Sequence, residues 1–284
     1  MKWDITHRTH YQYASPVYGS LNELRLQPVS GEEQTLELFD LRISPEARLG
    51  HYHDFYSNDV HHFEIAGEHS ELLIESRSLV TTHGLLSLPM DARPASRAQL
   101  KDVMKIGRCY DFMQATKFVD TDPETWRLAL DVVQNEDDVW QCALLLMAFV
   151  RGHLTYQSNS TSVHTHMREV LAARHGVCQD FAHVMLGLCR TLKIPALYVS
   201  GYLATEIASA SHAWVEVYVP GHRWQGLDPT NNCQTNETYV KLAVGRDYAD
   251  VAPVRGTYKG TSEHTLMVDV KIQKMESEQP ITLL

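Results

Sequence analysis

The sequence has no long apolar run and no cluster of basic residues. No stretch of eighteen apolar residues occurs in its 284 positions, and the opening MKWDITHRTHYQY lacks the apolar segment of a secretory signal. The 25 lysines and arginines are scattered and outnumbered by 35 acidic residues, which gives a net charge of −10. These features argue against a membrane protein and against binding to nucleic acid. We therefore expect a cytoplasmic globular protein.

Cysteines are few, and their spacing does not match the CxxC pattern of zinc sites or redox sites. An odd number, five, lie far apart without a CxxC pair, at Cys109, Cys142, Cys178, Cys189 and Cys233. Unpaired thiols suit a reducing compartment, in agreement with a cytoplasmic location. We expect no cofactor. The sequence leaves the oligomeric state open.

The sequence contains sixteen histidines, so a metal site has to be considered, above all in the N-terminal region. The candidates there are His51, His53, Asp54, His61 and His62, and zinc sites use such residues. However, no HExxH motif, no clear fourth ligand and no DxDxDG-like calcium loop accompanies them. Exposed strand histidines are the commoner explanation, so the prediction is that no metal is bound.

The pattern of apolar residues changes near residue 90. Residues 1–90 hold short alternating runs broken by turn residues, such as TLELFDLRIS and ELLIESRSLVTTH, which predict an antiparallel sandwich or barrel. The stretch DARPASRAQ then reads as a linker, and residues 91–284 contain helices followed by strands. We therefore predict an α+β fold with two domains, a β-rich region over 1–90 and a catalytic core over 91–284.

Start and stop signals place the elements of the second region. Helices are predicted after Asp122-Pro123, from about 137 to 152, over MREVLAARH ending at Gly176, and from Cys178 to about Lys193. The runs ALYVSGYL and HAWVEVYV predict strands, and a turn at PGHR leads back into WQGLD. Beyond Asp228 we expect a loop-rich stretch and one last strand, TLMVDVKIQKM.

Cys178 lies at the start of its predicted helix. There it meets backbone N–H groups without intrahelical partners and the positive end of the helix dipole, both of which stabilise a thiolate. Such placement can make a cysteine nucleophilic at neutral pH. On its own, a cysteine at a helix start is more often structural.

His212 and Asp228 provide the groups that such a nucleophile needs. His212 begins one predicted strand, and Asp228 ends the strand that returns from the turn. If pairing is symmetric about Pro220, the two residues are directly opposed, whereas a turn centred one or two residues later offsets them. A carboxylate beside the imidazole would fix its tautomer and stabilise the imidazolium.

Each of these three residues has an ordinary structural explanation when it is considered alone. His212 suits a hydrogen-bonded strand histidine, and Asp228 suits the first residue of a turn, Asp228-Pro229-Thr230-Asn231, that caps a strand. Their order of cysteine, histidine and aspartate, on a helix and two following strands, favours a catalytic triad.

Three long motifs resemble those of a known family. GVCQDFAHVMLGLCRTLKIPALYVSGYL, SHAWVEVYVPGHRWQGLDPTNN and VGRDYADVAPVRGTYKG are similar to bacterial transglutaminase-like proteins of the papain-like cysteine fold. PVYGSLNELRLQP is similar to the β-rich region that precedes the core in that group. The resemblance implies a helical lobe packed on an antiparallel sheet or barrel, with Cys178 as nucleophile and His212 and Asp228 completing the triad.

Further residues are candidates for the surroundings of the site. The backbone N–H of Cys178 is expected to stabilise an oxyanion, with Tyr156 as the candidate for a second donor. Six residues could line the cleft: Gln179, Trp214, Asn231, Arg246, Asp247 and Tyr248. For Asp180 and His183, on the helix of Cys178, a local ion pair or a hydrogen bond to a neighbouring loop is the favoured role.

The sequence favours a thiol hydrolase that cleaves peptide or isopeptide amides, because water is always available as the second acceptor. A protein-glutamine γ-glutamyltransferase is the alternative enzyme, since the superfamily contains cross-linking enzymes and proteases. A non-catalytic binding module is the third possibility, although all three triad residues are present. The expected partner is a peptide or protein substrate.

Overall fold

The computed structural model describes residues 1–84, 88, 93–103, 107–204, 211–261 and 263–275. It contains two large antiparallel sheets and a group of helices packed on the second, which confirms the predicted α+β fold. Part of the predicted linker DARPASRAQ lies outside the described residues.

Fourteen strands are found in the described part of the chain. They are β1 (Lys2–Leu24), β2 (Gln34–Ser44), β3 (Gly50–His53), β4 (Asp59–Ile65), β5 (His69–Thr82), β6 (Thr155–Tyr156), β7 (His175–Gly176), β8 (Ala196–Leu203), β9 (Ser211–Val219), β10 (Arg223–Asp228), β11 (Cys233–Gln234), β12 (Tyr239–Gly245), β13 (Val254–Lys259) and β14 (His264–Lys274).

The helices occupy the middle of the chain and one short segment near its end. They are α1 (Leu100–Val103), α2 (Pro123–Val133), α3 (Val139–His153), α4 (Met167–Ala173), α5 (Cys178–Thr191) and α6 (Tyr248–Val251), with 3₁₀ turns at Arg97–Gln99 and Gly107–Met113. Among the described residues, no helix combines the length and apolar character needed to cross a membrane.

The first sheet is organised around the long strand β1. Its main order is β2-β5-β1-β4-β3. The first half of β1 lies between β5 and β14, and the second half lies between β4 and β13. The strands after residue 253 therefore hydrogen-bond within the N-terminal sheet, although the sequence division grouped them with the core. The division into two domains itself stays a prediction.

The second sheet has the order β11-β10-β9-β8-β12 and carries α5 on one face. Strand β12 lies in the stretch that was predicted to be loop-rich. Its YVKLAVG sequence is mostly buried and hardly alternates, so it lacks the period-two signal of a half-exposed strand. Helix α4 also ends earlier than predicted. Arg174 takes the left-handed conformation at the end of α4, while Gly176 lies in β7 and pairs with Tyr156 of β6.

Helix α5 is the centre of the second region. All of its residues from Gln179 to Thr191 are buried, on one side against β9 and β8 and on the others against α2, α3 and α4. A separate apolar cluster connects the two sheets, with Trp3, Ile5 and Val270 from the first and Tyr202 and Val240 from the second. Helix α5 thus packs on the second sheet, which in turn contacts the first.

Candidate active site

Cys178 is the first residue of α5 and the only residue of that helix that is not fully buried. The start of the helix is fixed by Asp180, whose Oδ2 accepts a hydrogen bond from the Val177 N–H at 2.8 Å. The same oxygen accepts a bond from the Thr161 hydroxyl at 2.6 Å. Asp180 therefore ties the helix to the preceding loop, as the sequence favoured, and presents the Cys178 thiol at the helix N-terminus.

His212 and Asp228 meet across β9 and β10, but they are not directly opposed. The register pairs Val219 with Arg223 and Val215 with Leu227, so the turn is centred on position 221 and not on Pro220. Symmetric pairing about Pro220 is therefore wrong, and the offset alternative holds. His212 is the diagonal neighbour of Asp228 on the same sheet face, a distance that the imidazole spans.

The His212 Nε2 atom lies 2.7 Å from the Asp228 Oδ2 atom. Since Nε2 is used in this way, Nδ1 is the ring nitrogen left for the Cys178 thiol, whose interaction with the imidazole raises the pKa of His212. The structure thus brings together the three residues that the sequence nominated as a triad.

Asp228 has no exposed side-chain surface and is surrounded by donors. Its Oδ1 accepts bonds from the backbone N–H groups of Thr230 and Asn231, at 2.9 and 3.2 Å. Its Oδ2 accepts further bonds from the Asn231 side chain at 2.6 Å and the Tyr239 hydroxyl at 2.8 Å. This set of donors holds the carboxylate in one orientation toward His212.

Burial and hydrogen bonding act in opposite directions on both members of the pair. Burial lowers the pKa of His212, but the hydrogen bonds to Asp228 and Cys178 outweigh it and raise that pKa to about 10. For Asp228, burial raises the pKa, and the bonds from His212, Asn231 and Tyr239 bring it below its ordinary value. The arrangement therefore favours an imidazolium beside a carboxylate at neutral pH.

Tyr239 is a member of this network that the sequence did not reveal. It lies on β12, inside the stretch that was predicted to be loop, and no motif distinguishes it. Burial and the negative charge of Asp228 raise the pKa of Tyr239, so its hydroxyl stays protonated and donates. The Cys233 Sγ atom lies 3.4 Å from the same hydroxyl.

Tyr156 lies close to Cys178 at the edge of the helical region. Tyr156 lies on β6 and pairs with Gly176 on β7, which comes two positions before Cys178. Tyr156 is 51% exposed. Burial, followed by the electrostatic interaction with Cys178, raises the pKa of Tyr156. This position is compatible with the predicted second oxyanion donor, a role that stays a prediction.

Three of the six residues predicted to line the cleft are buried instead. Trp214 is 1% exposed and packs under the site, with its ring stacked 6.3 Å from that of His212. Gln179 is buried and donates to the Val163 carbonyl at 3.3 Å. Asp247 is buried and caps α6 by accepting from the Ala249 N–H. These three residues therefore do not line an open surface.

The other three predicted cleft residues have different surroundings. Asn231 is exposed and holds Asp228, as described above. Arg246 pairs with Asp250, its Nε atom lying 2.8 Å from Oδ2. Tyr248 is half-buried, and its backbone N–H donates to the buried His183. Their place at a substrate surface stays a prediction.

Three further thiols and a group of potential metal ligands lie apart from this network. Cys109, Cys142 and Cys189 are buried, and burial raises the pKa of each thiol. The described residues contain one group of three potential metal ligands, His51, His53 and Asp59, and it lies on the first sheet.

Two regions of the chain match families of known proteins. Residues 3–81 match the bacterial transglutaminase-like N-terminal region, and residues 127–229 match the transglutaminase-like superfamily. The second match ends just after Asp228 and includes Cys178 and His212.

Relatives of the chain cover most of its length. The uncharacterized protein ML0607 of Mycobacterium leprae (strain TN) is 32% identical over 279 residues, which make up 95% of this chain and 98% of that protein. A shorter similarity, 36% over 67 residues, links the chain to a protein-glutamine gamma-glutamyltransferase of Pseudomonas aeruginosa PAO1. It covers 20% of this chain and 10% of that enzyme.

A solved structure has the same fold over the whole chain. It is a protein of Cytophaga hutchinsonii described as a "putative cysteine protease", with a TM-score of 0.80, 22% identity and coverage of 100% of this chain and 94% of that one. Together with the full-length relatives and the two matched regions, it leads to one conclusion. The chain belongs to the transglutaminase-like superfamily and carries the bacterial N-terminal region of that group.

Proposed function

We propose that the protein is a cysteine-dependent hydrolase of peptide or isopeptide amides. The observation that carries this proposal is the alignment of Cys178, His212 and Asp228, in which a buried, fully hydrogen-bonded carboxylate orients an imidazole whose other nitrogen faces the thiol. A charged imidazolium and a helix N-terminus both stabilise a thiolate at this position.

The first half-reaction forms an acyl-enzyme. The Cys178 thiolate attacks the amide carbonyl carbon, an S–C bond forms, and the carbonyl oxygen becomes an oxyanion. The Cys178 N–H and the Tyr156 hydroxyl are our candidates for donors to that oxygen. When the tetrahedral intermediate collapses, the C–N bond breaks, and the His212 imidazolium gives its proton to the departing amine.

The second half-reaction releases the acyl group. Neutral His212 takes a proton from a water molecule while the water oxygen attacks the thioester carbon. The S–C bond then breaks, the acid leaves, and the thiolate–imidazolium pair is restored. Asp228 stays ionised throughout, because its role is to orient and stabilise the imidazolium.

Amine transfer is the second candidate for this step. If a lysine amine replaces water, the same thioester yields an isopeptide bond and the enzyme is a protein-glutamine γ-glutamyltransferase. The similarity over 67 residues to the Pseudomonas aeruginosa protein-glutamine gamma-glutamyltransferase supports amine transfer as this second candidate. The description of the Cytophaga hutchinsonii relative favours hydrolysis.

Mass spectrometry of a peptide library distinguishes these reactions. Wild type and Cys178→Ala are incubated with the library, with and without a primary amine, and Cys109→Ala serves as the matched cysteine control. We expect cleavage by wild type and by Cys109→Ala. Amine incorporation at glutamine would support transfer instead, whereas deamidation at glutamine would show a γ-glutamyl thioester that is released by water. Equal product formation by Cys178→Ala would disprove the proposed nucleophile, and no reaction with any protein variant would favour a binding module.

We also infer a reducing, cytoplasmic environment for this enzyme. All five cysteines are free, and three of them are buried in the apolar core. Unpaired thiols persist where the surroundings keep them reduced. Fractionation of the source cells followed by detection of the protein would test this location.

A further inference from the structure

A second cluster of reactive side chains lies on the first sheet, away from the triad. Strand β3 is the edge strand, and its register with β4 pairs His51 with His61 and His53 with Asp59. Residues that are paired across strands or two apart along a strand share one face of the sheet. All four side chains therefore project from the same face of this hairpin.

Two imidazoles of this cluster converge on one carboxylate oxygen. The Asp59 Oδ1 atom lies 2.8 Å from the His51 Nε2 atom and 3.3 Å from the His53 Nε2 atom. One possible ligand atom from each residue lies within 4.8 Å of those of the other two. A cation placed between them could contact all three with small side-chain rotations.

The surroundings of the cluster differ on its two sides. His51 and His53 are exposed, so an ion can reach them from solvent. On the inner side, the ring of His61 lies 4.9 Å from that of His51 and 5.2 Å from Phe39 on β2. The buried Nδ1 atom of His61 has no hydrogen-bond partner among the described residues. His61 and Phe39 thus lie against the inner side of the cluster.

The ligand types indicate which class of ion fits. Two imidazole nitrogens and one carboxylate oxygen suit Zn²⁺ and neighbouring transition metals, whereas Ca²⁺ and Mg²⁺ prefer oxygen ligands only. Three protein ligands also leave a coordination position for water, as in open zinc sites. The sequence alone had missed this set, because Asp59 joins it only through the β3–β4 register.

We propose that His51, His53 and Asp59 form a binding site for a divalent transition metal ion that joins the edge strand β3 to β4. The metal would lie between the Nε2 atoms of the two imidazoles and the carboxylate oxygen that they approach. The site is independent of the proposed amide hydrolysis, since its residues belong to the other sheet.

Isothermal titration calorimetry with ZnCl₂ tests the site in the full chain. The protein carries Cys178→Ala, so that the reactive thiol does not bind zinc. We expect one Zn²⁺ per chain, and His53→Ala and Asp59→Asn should each weaken that binding by more than about tenfold, a loss that outer-shell changes alone can produce. His62→Ala is the matched control. His62 is exposed and lies on β4 with Asp59, but its side chain points to the opposite face of the sheet. It should bind as the parent does.

Two further measurements keep the result unambiguous. Circular dichroism melting of each variant checks that the fold is retained. Zinc should also shift the imidazole NMR signals of His51 and His53 before those of other histidines. Zinc binding that is unaffected by both His53→Ala and Asp59→Asn, or equal binding of CaCl₂ and ZnCl₂, would overturn the proposal.

Discussion

Asp228 shows how strongly a single side chain can be determined by its neighbours. It accepts hydrogen bonds from His212, Tyr239, Thr230 and twice from Asn231, although none of its side chain is exposed. A buried carboxylate without such donors would be costly in free energy. Here the donors keep it ionised, and its charge in turn keeps His212 protonated.

Asp228→Asn should therefore change the titration of His212. Without the carboxylate, burial dominates, and the pKa of His212 should fall from about 10 to near or below its ordinary value of 6.5. NMR titration of the imidazole measures this directly. Activity on any peptide found in the library should fall by about 10²- to 10⁴-fold.

The His212–Asp228 interaction should also make the free energy of unfolding depend on pH in a predictable direction. His212 has a raised pKa in the folded state, so its contribution to stability is complete below about pH 6.5 and is lost as the pH rises through about 10. The stability gap between wild type and Asp228→Asn should shrink over that interval in urea unfolding. Asp250→Asn, which removes a carboxylate paired with Arg246, should leave the pKa of His212 unchanged.

Tyr156→Phe tests the proposed oxyanion donor. The substitution removes one hydroxyl from a half-exposed side chain, so the melting temperature should stay close to that of wild type. If the hydroxyl stabilises the oxyanion, kcat should fall on the order of 10²-fold with little change in KM. Tyr110→Phe, at a similarly exposed tyrosine, is the control. An unchanged kcat would assign Tyr156 to packing.

At the residue scale, the sequence nominated the three residues that the structure brings together, but it did not reveal Tyr239, which helps to hold Asp228 in place. A local sequence signal marks each of the three: a helix start for Cys178, and a strand end for His212 and Asp228. Tyr239 has no such signal, because it reaches Asp228 from β12, which joins the sheet through β8 on the other side of β9. A contact of this kind depends on strand order, which local periodicity does not contain.

At the scale of elements, close strand packing places the imidazole. Gly201 on β8 pairs with His212 on β9. A Cβ atom at position 201 would overlap the Val240 carbonyl oxygen and the Trp214 ring, on which His212 stacks. The absence of a side chain at this position therefore lets β8, β12 and Trp214 approach one another.

Gly201→Ala should damage both stability and activity. Overpacking against a backbone oxygen cannot be relieved by rotation of a side chain, so we expect a loss of about 2–3 kcal/mol in the free energy of unfolding. Urea unfolding measures this loss. The matched control is Gly152→Ala in α3, where nothing lies within 4 Å of the new Cβ. Helix propensity predicts that this control is neutral or up to about 1 kcal/mol more stable.

The elements themselves were largely predictable, with informative exceptions. Asp122 caps α2 and Pro123 begins it, as the sequence indicated, and β8 has the predicted bounds. The prediction failed where the local pattern was misleading. Strand β12 is buried without alternation, and α4 ends at Arg174 through a left-handed residue that is not glycine.

At the scale of the whole molecule, the two sheets share one apolar cluster. Ile5 and Val270 come from strands at opposite ends of the sequence, and they pack with Tyr202 of the second sheet. The Tyr202 hydroxyl also lies 2.8 Å from the buried His7 Nδ1 atom. The pairing of β14 with β1 could not be predicted from sequence, because many alternating segments are equally suitable partners.

Ile5→Ala should show whether the sheets unfold together. Removal of a fully buried isoleucine typically costs about 2–4 kcal/mol. If the shared cluster couples the sheets, urea should unfold the variant in one transition, with coincident changes in tryptophan fluorescence and circular dichroism. Leu266→Ala on the exposed part of β14 should change stability by less than about 0.5 kcal/mol. Two separate transitions would show that the sheets are independent.

The central claim is that Cys178 is an activated thiolate held beside His212, and it can be tested without a substrate. The measurement is the rate of iodoacetamide alkylation at pH 6, followed for each cysteine by peptide mass spectrometry. We predict that Cys178 reacts at least about tenfold faster than Cys109 and Cys233, since burial raises the pKa of both comparison thiols. Reaction of Cys178 at the same rate as Cys233, which is likewise only partly buried, would contradict the claim.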